Sequence, residues 1–188
     1  MDIFGVFSAF GLSASAGLNA YIPLLSVALL AKYTNLIRLS PPWDSLTSWW
    51  VIGLMLALIV IEFFADKVPV VNHVNDLVQT LVRPAAGAIV FAASARVITE
   101  IHPILSLALG LLIAGGVHTV KAAAFRPAVT AVTGGAGNVP VSILEDIVST
   151  VVSILAIVVP VFITCVLIVV TSWILWRWWR RARVELHA

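Results

Sequence analysis

Val68-Pro69-Val70-Val71-Asn72-His73-Val74-Asn75-Asp76-Leu77-Val78-Gln79-Thr80-Leu81-Val82-Arg83 has a counterpart later in the chain, Val139-Pro140-Val141-Ser142-Ile143-Leu144-Glu145-Asp146-Ile147-Val148-Ser149-Thr150-Val151-Val152-Ser153. Each begins Val-Pro-Val, and each then carries polar residues at steps of four, four and three: Asn72, Asp76, Thr80 and Arg83 in the first, Ser142, Asp146, Thr150 and Ser153 in the second. A shift of 70 positions superimposes the two sets. Those steps keep each set on one face of a helix. An ionisable side chain within a bilayer costs several kcal/mol, in order of magnitude, unless it faces protein, water or a partner. Two such stripes point to paired halves that meet around a shared polar site.

The surrounding sequence agrees with a membrane setting. Of 188 residues, 61% are hydrophobic and 11% charged, and the mean hydropathy is +1.09. Soluble domains run at about 45–50% apolar and about 25% charged. The expected fold is therefore an all-α integral membrane protein with about five to seven hydrophobic helical segments. It forms one transmembrane domain over 1–188, with repeat-like halves at about 4–99 and 104–179 and a basic tail at 180–188. Met1-Asp2-Ile3-Phe4 lacks the basic n-region of a signal peptide, so the first apolar run is expected to remain as a helix. The lone Cys165 excludes an intramolecular disulfide or a CxxC pair.

Along the chain, Phe4 to Leu30 reads as the first membrane helix, with Ser13, Ser15, Gly17 and Ala20 allowing close approach. A loop over Lys32 to Ser48 carries the breaker Pro41-Pro42 and precedes Trp49 to Ala65 as the second helix. Glu62 and Asp66 close that helix, with Lys67 as the nearest counter-ion; a cation site is the other reading. The first stripe follows, and Arg83-Pro84 makes it either one kinked helix or a short re-entrant helix with a separate successor. Ile104 to Phe125 is a further helix closed by Arg126-Pro127, and Pro160 is expected to divide the long apolar run from Val141 to Trp179. A second, fainter match aligns Gly11-Leu12, Gly17 and Asn19 with Gly110-Leu111, Gly116 and His118 at an offset of 99.

Arg177, Arg180, Arg181 and Arg183 interleave with Trp173, Trp176, Trp178 and Trp179, an aromatic belt followed by basic residues. The positive-inside rule then places the C-terminus in the cytoplasm of a multi-pass protein of the inner (cytoplasmic) membrane. Five crossings would put the N-terminus outside and the Lys32/Arg38 loop inside. These tryptophans continue a hydrophobic helix, so no nucleic-acid partner is expected.

Asp76 and Asp146, with Glu145 beside the latter, are candidates to bind a cation or a proton. The plainer reading is a structural ion pair or a helix cap. Glu145 points to a different face from Asp146 and is expected nearer the interface. Arg83, His118, Lys121 and Arg126 form a basic group that could hold an anionic solute or lipid headgroup. Alternatively, Arg83 and Arg126 snorkel to the interface and Lys121 neutralises an aspartate. Asn72, Thr80, Ser142 and Thr150 complete the polar lining. Gly134, Gly135, Gly137 and Asn138 make the most flexible stretch, read as a connection or gate. His73 near Asp76 is a poor metal signal, and no zinc spacing, P-loop or nucleophile elbow is present. No metal, cofactor or catalytic residue is expected.

Ala65-Asp66-Lys67-Val68-Pro69, with Asp76, Thr80 and Arg83-Pro84-Ala85-Ala86-Gly87, resembles an uncharacterised bacterial membrane family, DUF4126. Gly17-Leu18-Asn19-Ala20-Tyr21 resembles its opening helix. His118, Lys121 and Arg126, then Asn138, Ser142 and Glu145-Asp146, resemble its second half. The resemblance covers most of the chain and implies a membrane fold without an activity. Where that family suggests a Ser-Pro-Glu-Pro-like turn, this chain has Thr133-Gly134-Gly135-Ala136-Gly137, which removes a carboxylate there.

The leading functional expectation is a small transporter or channel, a homo-oligomer among membrane lipids, that moves an ion, a small anionic solute or a lipid headgroup through a buried polar site. A non-transporting scaffold or assembly factor is the alternative. An intramembrane lipid-modifying enzyme is the third reading, and it lacks a visible nucleophile.

Overall fold

The computed structural model describes residues 3–66, 69–95 and 102–185, and among these there is no strand. The helices in chain order are α1 (Ile3–Leu18), α2 (Tyr21–Tyr33), α3 (Trp49–Ala65), α4 (Pro69–Ala95), α5 (Pro103–Val120), α6 (Arg126–Thr133) and α7 (Asn138–Glu185). A 3-10 turn, Trp43–Thr47, precedes α3, and a π-turn, Lys121–Phe125, joins α5 to α6. Three stretches are long and apolar enough to cross a bilayer: Asn75–Ser94, Pro103–Thr133 and Asn138–Val159. Gly5–Leu18, Tyr21–Tyr33 and Trp49–Ala65 are shorter apolar helices.

The distribution of side chains is inverted relative to a water-soluble bundle. On α4, Gln79 and Arg83 are 2% and 1% exposed, while Leu77 and Leu81 are 73% and 78% exposed. Soluble proteins almost never bury arginine and glutamine while turning adjacent leucines outward. Hydrocarbon around the bundle rationalises both choices, because it rewards apolar exteriors and penalises outward charge. Trp49 and Trp50, both exposed at the start of α3, suit an aromatic anchor at the interface.

Helix α1 is the axis of the bundle and packs against α4, α5 and α7. Its buried residues are small or hydroxylic: Ala9, Ser13, Ser15 and Ala16 accompany Leu12. With lipid outside, close packing and interhelical hydrogen bonds replace much of the hydrophobic drive between helices. Ser13 Oγ donates towards the carbonyls of Gly110 (2.8 Å) and Gly87 (3.2 Å). Ser15 Oγ lies 2.8 Å from both Ser149 Oγ and Ser153 Oγ, which stitches α1 to α7.

The closest approach is between α4 and α5, where Gly87 and Gly110 stand back to back. A Cβ on Gly110 would meet the Gly87 carbonyl oxygen, Phe91 Cβ at 2.6 Å and Ala88 Cα at 2.7 Å. Two of those atoms are backbone, so the clash cannot be relieved by a rotamer change. Gly110→Val should therefore destabilise the protein by about 1–3 kcal/mol or more. Gly53→Ala, at a position whose Cβ meets nothing within 4 Å, should stay within about 0.5 kcal/mol of the parent. Thermal unfolding of both variants in detergent checks this; equal melting temperatures would refute the tight α4–α5 seam.

The helix breaks differ from those expected at one new position and at two prolines. The first apolar run is not one helix, because it is interrupted at Asn19, whose Oδ1 accepts from the amides of Tyr21 (3.0 Å) and Ile22 (3.1 Å) and so starts α2. Pro84 lies inside a continuous α4, so of the two expectations for the first stripe the single helix holds and the short helix with a separate successor does not. Proline is tolerated in membrane helices because neighbouring groups re-satisfy the freed backbone. Pro160 likewise does not divide α7, which runs continuously from Asn138 to Glu185. Arg126-Pro127 does not close a helix either. The π-turn ahead of it, with the Arg126 amide bonded to the Lys121 carbonyl, makes room for the proline, and helix resumes to Thr133.

Gly134 and Gly135 follow with φ of 61° and 93°, values that favour glycine. Their turn is held by the Gly137 amide donating to Thr133 Oγ1 (3.0 Å) and by Thr130 Oγ1 donating to Asn138 Oδ1 (3.1 Å).

Candidate functional site

Arg126 is the hub of the polar interior. Its Nη1 lies 3.0 Å from each oxygen of Asp76, while Nη2 reaches Asp66 Oδ2 (3.0 Å) and Glu145 Oε2 (2.9 Å). One planar guanidinium thus gathers carboxylates from the end of α3, from α4 and from α7, a task matched to its fixed fork of donors. Lys121 Nζ adds a 2.7 Å pair to the same Glu145 oxygen and a 3.0 Å hydrogen bond to the Leu18 carbonyl at the end of α1. Lys121 and Arg126 are five residues apart, which on an α-helix would turn them to different faces. The π-turn closes its hydrogen bond over five residues, and this brings both cations onto Glu145.

Asp66 is held on three sides. Besides Arg126, it accepts from Ser142 Oγ at Oδ2 and from Asn75 Nδ2 at Oδ1, both at 2.8 Å. Burial opposes its ionisation, yet Arg126 and these two donors hold the carboxyl below the usual carboxylate range.

Beside this hub lies a second group. Arg83 Nη2 pairs with Glu62 Oε1 at 2.8 Å, and Nη1 lies 3.2 Å from His118 Nδ1. The other ring nitrogen of His118 is 3.2 Å from Thr80 Oγ1. Tyr21 and Gln79 lie next to Glu62 and Arg83. A third element is Asp146, half-buried on α7, which accepts from Asn19 Nδ2 at 2.9 Å.

The structure thus brings together Asp76, Asp146, Arg83, His118, Lys121, Arg126, Thr80, Ser142 and Glu145. It also redistributes their importance. Glu145, expected near the interface, is 7% exposed and at the centre, whereas the side chain of Asp76 is 25% exposed at the edge. The snorkelling alternative fails for Arg83 and Arg126, since both are buried, and Lys121 is paired to a glutamate rather than an aspartate. His118 and Lys121, neighbours by spacing, serve different groups. Thr150 is exposed and bonds back to the Asp146 carbonyl, as Thr80 does to Asp76. The side chain of Asn72, and Lys67 altogether, lie outside the described residues.

Glu62, Asp66, Asn75 and Asn19 were missed by the sequence reading, or weighed as ordinary helix ends. A glutamate and an aspartate one turn apart on an apolar helix were a usable signal. Their partners were not legible, because Arg83 is 21 residues from Glu62 and Arg126 is 60 from Asp66.

Five carboxylates (Glu62, Asp66, Asp76, Glu145 and Asp146) therefore surround three cations (Arg83, Lys121 and Arg126), a formal surplus of two negative charges among the described residues. Glu62 Oε2 and Glu145 Oε1 are buried with no hydrogen-bond partner among those residues. Unsatisfied buried acceptors are costly, at about 1–3 kcal/mol each. Among the described residues no group of three or more potential ligands could hold a metal ion.

Residues 6–181 match a family described as Domain of unknown function (DUF4126). The chain belongs to that family. No curated protein and no solved structure matches it. In this DUF4126 chain, the residues that carried the resemblance include Asn19, Asp66, Asp76, Arg83, His118, Lys121, Arg126, Ser142, Glu145 and Asp146. All of them lie in the cluster just described.

Proposed function

We propose that this chain is a small membrane transporter or channel that moves an ion through the buried charge cluster, and that the ion is a cation, foremost the proton. The surplus of carboxylates carries this reading. Each of the three cations already holds at least one carboxylate, so an anion would compete with an existing partner. A proton or small cation instead relieves the excess negative charge. Asp76 and Asp146, both partly exposed, flank the buried hub and serve as its two points of access. Asn19 and Ser142 orient the carboxylates, and the Gly134-Gly135 turn lets α6 and α7 shift relative to one another. We place the protein in the inner membrane with a cytoplasmic C-terminus, as two related halves and as a homo-oligomer.

The test is flux in proteoliposomes loaded with a pH-sensitive dye. Wild-type protein should collapse an imposed pH gradient, and Asp146→Asn should slow that at least tenfold while eluting as the parent does. Asp146 is the residue of choice because Asn19 can also donate to an asparagine oxygen, so the fold should survive. Wild-type rates in a folded Asp76→Asn/Asp146→Asn variant would refute the reading.

A scaffold is the second reading, favoured by one observation: the ion pairs among the described residues each join two different elements of the bundle. It predicts no flux from the wild type and a loss of assembly whenever a pair is broken.

A further inference from the structure

Where α2, α3 and α4 meet, three side chains no more than 3% exposed each keep one polar atom with no hydrogen-bond partner among the described residues. The atoms are Glu62 Oε2, Gln79 Oε1 and Arg83 Nε. They share one neighbourhood. Arg83 Nη2 grips Glu62 Oε1 at 2.8 Å, so Nε and Oε2, each bonded to the same carbon as its gripping neighbour, are held close to that contact. Gln79 stands one helical turn before Arg83 and, like Glu62 and Arg83, lies next to Tyr21. A two-pronged pair would have joined Nε–H to Oε2 directly, but the single-pronged one leaves both unmet.

The unmet demand is specific. Arg83 Nε–H can only donate, whereas a carboxylate oxygen and an amide oxygen only accept. A guest must therefore accept once and donate twice. It must also be neutral, because an added cation would face Arg83 and an added anion Glu62. Water meets both conditions, and buried waters make about three hydrogen bonds to groups that otherwise lack a partner.

We propose that Glu62 Oε2, Gln79 Oε1 and Arg83 Nε hold one water molecule, which donates to both oxygens and accepts from the guanidinium. Every nitrogen of Arg83 is then engaged: Nε by the water, Nη2 by Glu62 and Nη1 by His118 Nδ1 at 3.2 Å. Arginine has no acceptor, so His118 Nδ1 receives that bond without a proton of its own. The ring proton sits on Nε2 and is donated to Thr80 Oγ1. This site stands whether or not the cluster conducts ions, because its readout is hydration rather than flux.

Solid-state NMR of the protein in lipid bilayers, with arginine and histidine labelled, tests it. The assigned Arg83 Nε–H should show a cross-peak to bound water, and His118 should carry its proton on Nε2. Gln79→Leu takes away one of the three partners and should remove the water cross-peak. The rival arrangement is a Glu62 that carries a proton and donates it to Gln79 Oε1 with no guest. It would give a carboxylic-acid carbonyl band in the infrared that Glu62→Gln abolishes. An Arg83 Nε–H without water contact, a cross-peak that survives in folded Gln79→Leu, or that acid band would each overturn the proposal. The wild-type cross-peak alone separates a watered site from a dry one, so the test holds even if a variant fails to fold.

Discussion

Arg126→Met should leave little or no folded protein. The substitution takes the paired cation from Asp66 and Asp76 and leaves Glu145 with Lys121 alone. Removing one member of a buried ion pair typically costs about 3–5 kcal/mol, against a total stability of about 5–15 kcal/mol for a whole domain. Arg126→Lys should recover only part of the loss. A lysine supplies one point charge, and its donors cannot span the bidentate contact to Asp76 together with Asp66 and Glu145. Adding Asp66→Asn and Asp76→Asn to Arg126→Met should restore folding in part, because the stranded charge is then reduced. Size-exclusion profiles and melting curves in detergent report the order expected: parent first, then the lysine and triple variants in either order, and methionine alone last. A monodisperse Arg126→Met protein with the parent's melting temperature would show that Arg126 is not the hub.

Glu62→Leu should produce the second largest loss, again about 3–5 kcal/mol, because Arg83 is left buried at 1% exposure with only the neutral contact of His118. Arg83→Met alone should cost a similar amount by stranding Glu62. The double variant Glu62→Leu/Arg83→Met removes both charges and should be more stable than either single one, since buried pairs can be exchanged for apolar residues at little cost. Additive losses in that cycle would mean that the two side chains are not a pair.

The architecture was readable from the sequence where the signal was local. The two stripes fall on α4 and α7, the hydropathy marks the apolar helices, and the small residues of α1 lie where it packs against α4, α5 and α7. The readings of Pro160 and Pro127 failed, and that of Pro84 stays open between one helix and two, because sequence shows the lost amide hydrogen but not the surroundings that compensate for it. Pro84 and Pro160 sit within continuous helices, and a π-turn that no composition signals absorbs Pro127. Asn19 shows the converse. Its capping role ends an apolar run with no proline at the break, and only the geometry of the Tyr21 and Ile22 amides reveals it. Most of the candidate site residues were legible as charges out of place on apolar helices. Their partners were not, because the pairs close across 19 to 60 residues of chain. That distance explains why Glu145 was placed at the interface and why Glu62 and Asp66 were assigned to a helix end.

The most direct test is a side-chain-resolution map of the protein in lipid nanodiscs, read at Arg126. The guanidinium should lie inside the bundle, within about 3 Å of carboxylates from Asp66, Asp76 and Glu145, as ordinary charge-assisted hydrogen bonds require. An Arg126 side chain extended into the headgroup layer, with those three carboxylates facing water and separated from one another, would contradict the buried cluster and the ion path built on it.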